Sequence, residues 1–185
     1  MIIALSGFMG CGKSTAGRML AERLPDFDFT DLDDFIEEDA GMSISQIFAN
    51  GGEKAFREIE SDALECLLMV SSASGRDMIL ALGGGTLTNR DNAALVREHC
   101  ENFYLKAELD TLCANLEGAS AGRPMLGDGE DLRTRIESLM KKRASVYEKA
   151  ADHVIVTDGR TMDEIVSEII GKAGLCETYA RRRTL

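Results

Sequence analysis

No stretch of this chain approaches the roughly 18 consecutive apolar residues that a bilayer-spanning helix needs. The apolar start MIIALSGFMG has no basic flank and runs straight into Gly-Lys-Ser, so it reads as a first strand rather than a signal peptide. Histidine is nearly missing: His99 and His153 stand far apart, which argues against a histidine-based metal site and makes each an element-end residue. The five cysteines contain no CxxC pair, and an odd count leaves one unpaired in any disulfide scheme. Reduced thiols in a cytoplasmic protein are the simpler expectation. Positive charge is also scarce, with a formal net charge of -11 at pH 7. That balance argues against nonspecific nucleic-acid or membrane partners. Any anionic ligand must then be met by a few locally concentrated bases, so single arginines and lysines carry information.

What is present is an alternation. Strand-like runs recur at IIALS (2–6), FDFTDL (27–32), MILAL (78–82), NFYLK (102–106) and HVIVT (153–157). Helical patterns separate them. KSTAGRMLAERL puts Ala16, Met19, Leu20 and Leu24 on one face, and EKAFREIESDALECLLMV spaces Phe56, Ile59, Ala63, Leu64, Leu67 and Leu68 by three to four. Similar patterns cover NRDNAALVREH, ELDTLCANL, DLRTRIESLMKKRASVYEKA and TMDEIVSEIIGKA. Alternating strands and helices predict parallel pairing with right-handed crossovers, hence a three-layer α/β/α sandwich around a parallel five-stranded sheet. Residues 1–175 form one domain in this reading. GASAGRPMLGDGED (118–131), rich in glycine and small residues, reads as a flap, and the basic tail 176–185 as a flexible end.

GFMGCGKST (7–15) fits the phosphate-binding pattern G-x4-G-K-[ST], with Gly7, Gly12, Lys13 and Ser14 in the fixed places. A strand precedes it and an amphipathic helix follows, as the pattern requires. Glycines let backbone N–H groups converge on phosphate oxygens, and the helix N-terminus adds its positive end. Gly10, Cys11, Gly12, Lys13, Ser14 and Thr15 would surround the phosphates, with Lys13 on the outer ones and Ser14 on Mg²⁺. Fold and motif together predict a P-loop NTPase of the nucleoside monophosphate kinase-like type. Cys11 sits inside the loop, where a helix N-terminus lowers thiol pKa, so alkylation sensitivity relieved by ATP is expected.

The acceptor is a separate question. No D-x-x-G and no [NT]-K-x-D occurs, which removes the switch GTPases. MILAL ends in Gly83, Gly84 and Gly85, where many P-loop ATPases place an aspartate. TDLDDF (30–35) is the alternative source of a carboxylate. In an extended segment Asp31 and Asp33 would face one side while Leu32 points away. The competing reading is an N-cap cluster, with Asp33 or Asp34 opening the next helix. In GGEKAFREIE, Arg57 shares a helix face with Glu60, which is either an intrahelical ion pair or an arginine aimed into a site.

Taken in order, GFMGCGKST, DLDDFIE, SISQIFANGGEKAFREIE, LGGGTLT, RPML and KKRASVYEKAA with HVIVT resemble the shikimate kinase family over about residues 2 to 172. The resemblance implies transfer of the ATP γ-phosphoryl group to the 3-hydroxyl of shikimate. It implies that Asp33 holds that hydroxyl and that Asp31 stands near the water shell of Mg²⁺. By the same resemblance Arg57 and Arg143 bind the shikimate carboxylate, Glu60 stands beside Arg57, and Gly83, Gly84 and Gly85 line the acceptor pocket in a helical segment-plus-strand frame that includes 33–62. Arg123 matches the lid arginine that closes over ATP, and Arg160 falls near the adenine contact. Catalysis would rest on Lys13, Asp33 and Arg123. One departure is the stretch before the lid, LCANLEG (112–118), which lacks the arginine many members carry there. Other small-acid kinases such as gluconate kinase share the scaffold, and a non-catalytic ATP-binding protein is the alternative outside enzymes. No leftover apolar stripe is evident, so a monomer is expected.

Overall fold

The computed structural model describes residues 1–117 and 131–175. Five parallel strands form one sheet in the order β2-β3-β1-β4-β5. They are β1 (Ile2–Ser6), β2 (Phe27–Asp31), β3 (Asp77–Ala81), β4 (Glu101–Lys106) and β5 (His153–Val156). The helices are α1 (Lys13–Arg23), α2 (Leu32–Ala40), α3 (Ile44–Ser74), α4 (Arg90–His99), α5 (Leu109–Leu116), α6 (Leu132–Ala150) and α7 (Met162–Lys172). β1 is buried along its whole length, as a central strand covered on both faces must be. His99 ends α4 and His153 opens β5.

The register decides where the site falls. Asp31 pairs with Ala81, and Ala81 with Leu5, so β2, β3 and β1 end side by side. The segments leaving those ends are α2, the glycine run 83–85 and the phosphate loop. β1 sits between β3 and β4, so its flanking connections leave in opposite directions, and the crevice opens at that switch point.

Two local features shape the crevice walls. β2 ends one residue earlier than its apolar pattern suggests, because Leu32 already belongs to α2 and packs wholly inside the core. α3 is longer than the pattern from Glu53 implies. It starts at a Ser43–Gln46 capping box and bends at Gly52, whose φ of 72° and ψ of -175° no helix shares. The bend folds Phe48 back onto Phe56, with ring centroids 4.9 Å apart. On the sheet's other side α1 lies close over β2. A Cβ at Gly17 would come within 2.2 Å of the Phe29 ring, so a glycine in mid-helix, though locally unfavourable, is what lets the two elements approach.

Candidate active site

A cavity of about 640 Å³ opens at the carboxyl ends of the strands, lined among others by Lys13, Ser14, Asp33, Arg57, Glu60 and Arg143. Its phosphate side is built by local backbone geometry. Gly12 is the N-cap of α1 at φ 97°, a conformation open to glycine at little cost, and it supplies no side-chain cap to the first turn. The N–H groups of that turn therefore face the cavity, where Gly10, Gly12, Lys13, Ser14 and Thr15 all lie. The Lys13 ammonium folds back over the loop, donating to the Gly7 and Phe8 carbonyls at 3.1 Å each.

Asp31 and Asp33 reach this floor by a route that corrects the strand argument. Asp31 is the N-cap of α2: its Oδ1 accepts from the Asp33 backbone N–H at 3.0 Å, and its Oδ2 accepts from the Ser14 hydroxyl at 2.5 Å. Asp33 belongs to the first helical turn, not to an extended pair, so both readings of TDLDDF contain part of the answer. The capping role falls on Asp31 rather than Asp33 or Asp34. Burial, reinforced by the Asp31 charge and opposed by Lys13, pushes the Asp33 carboxyl up to about 6, with Glu60 and Asp34 adding to the rise.

The three glycines after β3 are cleared for three different neighbours. None has positive φ, so a turn conformation does not demand them. A Cβ at Gly83 would stand 2.9 Å from Asp33 Oδ1, from Glu60 Oε1 and from Thr86 Oγ1. At Gly84 it would press on the Met9 backbone nitrogen at 3.3 Å, and at Gly85 it would sit 2.5 Å from an Arg57 guanidinium nitrogen. The run therefore makes room first for the protein's own charged groups, and only beyond them for a ligand.

Arg57 is both things the sequence allowed. Its Nη1 donates to Glu60 Oε2 at 2.5 Å, and its guanidinium lies against Gly85 inside the cavity. Glu60 is 1% exposed and is held deep in the protein by the Arg57 guanidinium and by the Thr86 hydroxyl at 2.6 Å. Arg143, from α6, is also buried, yet among the described residues it makes no ion pair. Its Nη1 donates to the Gly84 carbonyl at 3.1 Å, which the Tyr147 hydroxyl also reaches. A buried cation whose partners are a carbonyl and the Tyr147 side chain, and no carboxylate, is costly, and an anion brought by a ligand would compensate it.

Two expected site residues are placed elsewhere. Cys11 is buried beneath the loop; its sulfur is the atom a Gly7 Cβ would meet at 2.8 Å, and burial pushes its thiol pKa up rather than down. The desolvation outweighs Lys13 and the helix terminus, so the expected alkylation sensitivity is withdrawn. Arg160 does not line the cavity. Its guanidinium bonds to the Val156 and Glu164 carbonyls and to Glu168, tying β5 to α7. Arg123 and the 118–130 part of the flap lie outside the described residues, as does the tail 176–185. Several lining groups were missed by the sequence reading: Met9, Phe48, Asn115 and Met162. Asn115 stands in the stretch lacking the arginine and donates to the Gly10 carbonyl at 2.9 Å. A residue pattern could have flagged Phe48, apolar in a helix start, but nothing short of the fold brings Asn115 to the loop.

Groups suited to phosphate and groups suited to a small carboxylate share one cavity, and the fold and site thereby define a P-loop small-molecule kinase. A family model described as shikimate kinase matches residues 9–173. A shikimate kinase of Salinibacter ruber is 40% identical over 177 residues, covering 92% of this chain and 83% of that one. One from Alkaliphilus oremlandii is 36% identical over 168 residues, covering 91% and 96%. Among solved structures, the shikimate kinase of Acinetobacter baumannii in complex with shikimate superposes with a TM-score of 0.85 at 28% identity, covering 99% of this chain and 95% of that one. The chain belongs to the shikimate kinase family, and it is an ATP-dependent kinase. A tunicamycin resistance protein of Deinococcus radiodurans shares the fold at a TM-score of 0.64 with 16% identity.

Proposed function

We propose that this kinase phosphorylates the 3-hydroxyl of shikimate with the residues of the cavity in the following roles. Arg57 and Arg143 receive the carboxylate, by charge-assisted bonds worth roughly 1.5–3 kcal/mol each. The observation that carries this is Arg143, a buried guanidinium with no carboxylate among the described residues to balance it. At the other end Asp33 accepts the hydrogen bond of the reacting hydroxyl. With its pKa near 6 it is largely ionised at neutral pH, yet basic enough to share that proton. The loop N–H groups and Lys13 hold the phosphates, and Lys13 must exchange its two carbonyl partners for them.

The Ser14 hydroxyl and the Asp31 carboxylate are adjoining hard oxygen donors, which fits Mg²⁺ held largely through water and phosphate. Bound there, Mg²⁺ supplies positive charge against the phosphate oxygens. Arg123 is assigned the same phosphates on its RPML motif alone. Alignment and charge suffice for phosphoryl transfer, which asks little covalent help of the protein.

Residues 1–175 act in this reading as one kinase domain, with α2 and the first half of α3 as its acceptor-binding segment. We take the protein to be a cytoplasmic monomer. No helix among the described residues is long and apolar enough to cross a membrane. Among the described residues the exposed large apolar side chains are few: apart from Met1 and Met42 they are Met69 and Val70 on α3 and Val154 and Val156 on β5. ADP release measured across shikimate, quinate, gluconate and nucleoside monophosphates tests the reading. Turnover dependent on shikimate is the expected result; a folded protein with none would end the proposal.

A further inference from the structure

Thr86 opens the one-turn 3₁₀ helix Thr86–Thr88 that follows the glycine run, and although it lies in the LGGGTLT motif the sequence assigns it no role of its own. Its side chain is fully buried, and its hydroxyl donates to Glu60 Oε1 at 2.6 Å. In this bond the hydroxyl is the donor and the Glu60 carboxylate the acceptor. The other oxygen of Glu60 accepts from Arg57 Nη1 at 2.5 Å. One buried carboxylate is thus clamped between a hydroxyl on one side and the acid-binding guanidinium on the other.

The turn that carries Thr86 is itself held firmly. The Thr86 N–H donates to the Gly83 carbonyl at 3.2 Å, the Thr88 N–H to that of Gly85 at 2.9 Å, and the Asn92 amide to the Thr86 carbonyl at 3.4 Å. A second strut runs from Asn89 to the Ser61 hydroxyl at 3.3 Å, and Ser61 donates to the Arg57 carbonyl at 2.9 Å. The turn therefore grips α3 at the main chain of Arg57 and at the partner of its side chain. We propose that Thr86 is a positioning residue for acceptor recognition: by holding Glu60 Oε1 it keeps Oε2 toward Arg57, and so keeps the guanidinium flat against Gly85 and facing the cavity.

The physical consequence follows from what Glu60 does without the hydroxyl. With 1% exposure it has no water to turn to, and Oε1 becomes a buried acceptor without a donor. It then rotates to take both oxygens to Arg57, which draws the guanidinium away from Gly85. That change reaches the carboxylate end of the acceptor and leaves the phosphate loop untouched.

The proposal rests on Arg57 binding the acceptor carboxylate, so the test includes Arg57→Ala as a separate arm. Kinetics with shikimate and ATP are measured for the parent, Thr86→Val, Thr86→Ser, Arg57→Ala and the Arg57→Ala/Thr86→Val pair, with thermal melting alongside. Thr86→Val, which keeps the shape and removes the hydroxyl, is expected to raise the Michaelis constant for shikimate about 5- to 20-fold with that for ATP unchanged. Thr86→Ser is expected to restore it to within about 2-fold, and Thr86→Val to add nothing once Arg57 is gone. Should the valine variant not fold, Thr86→Ala replaces it under the same criteria. An unchanged shikimate constant overturns the positioning role, as does an equal rise for both substrates, or an additive effect in the Arg57→Ala background. If Arg57→Ala itself leaves the shikimate constant unchanged, the acid-binding reading of Arg57 fails first.

Discussion

The two halves of the cavity use glycine for opposite reasons. In the phosphate loop Gly12 is needed for its own backbone, since φ 97° is open to glycine and strained for other residues. In the acceptor half Gly83, Gly84 and Gly85 have ordinary backbone conformations, and what excludes a side chain is a neighbour from a distant part of the chain. The phosphate half is one contiguous stretch whose shape follows from local dihedrals. The acceptor half is assembled from α2, α3, the end of β3 and α6, and its shape follows from packing. Binding of the shared phosphate donor is thus locally encoded, whereas choice of acceptor is spread over the fold. Chains such as the tunicamycin resistance protein can keep the fold at 16% identity.

The largest expected effect separates activity from stability within the acceptor half. Asp33→Asn is expected to lower kcat about 10²- to 10⁴-fold with ATP affinity nearly intact, measured by steady-state kinetics and nucleotide titration. The same change is expected to stabilise the protein at neutral pH. The carboxyl is held near 6 against an ordinary 3.8, so between those values the folded state keeps a proton that the unfolded chain has released. Ionisation then costs the folded state an amount on the order of 3 kcal/mol at pH 7, and the cost disappears as pH falls below the unfolded value. Melting curves of parent and variant should coincide near pH 4, separate progressively between pH 4 and pH 6, and stay a constant distance apart above that. A variant that melts earlier than the parent at pH 7 would mean that Asp33 is structural.

Next in size is Arg143→Met, which removes the buried cation and keeps apolar bulk. The Michaelis constant for shikimate is expected to rise about 10- to 100-fold, in line with one or two lost charge-assisted bonds. Tyr147 still reaches the Gly84 carbonyl, so melting temperature is expected to hold or rise. A large loss of stability with unchanged shikimate kinetics would make Arg143 a scaffold residue.

The smallest effect puts the glycine comparison itself to the test. Gly12→Ala is expected to lower the melting temperature and to raise the ATP constant, because the strained residue is the N-cap of α1. Gly85→Ala is expected to leave melting nearly unchanged, since the obstructing group is the end of a flexible arginine, while raising the shikimate constant several-fold. If both variants lose the same substrate, or the same stability, the distinction between the halves is wrong.

The order of strands and helices was legible throughout, because hydrophobic period and turn residues act over neighbouring positions. That Gly10 and Gly12 to Thr15 line the cavity was legible for the same reason, being one loop and the turn after it. Where reading by neighbours failed, long-range burial had intervened. Cys11 turns inward and loses its acidity to desolvation, and Arg160 is consumed by carbonyls of β5 and α7. Asp31 caps a helix that already begins at Leu32, the last residue of the strand pattern.

By itself the sequence determined the phosphate cradle, the parallel α/β order and, through a run of ordered motifs, the family. Each depends on dihedral preferences or residue types that short segments carry on their own. Only the tertiary structure decided that Arg143 is buried without an acid, that Asp33 is half-protonated near pH 6, and that Thr86 meets Glu60 across 26 positions of chain. Those facts depend on which elements pack together and how much water they exclude, and no segment holds that information alone.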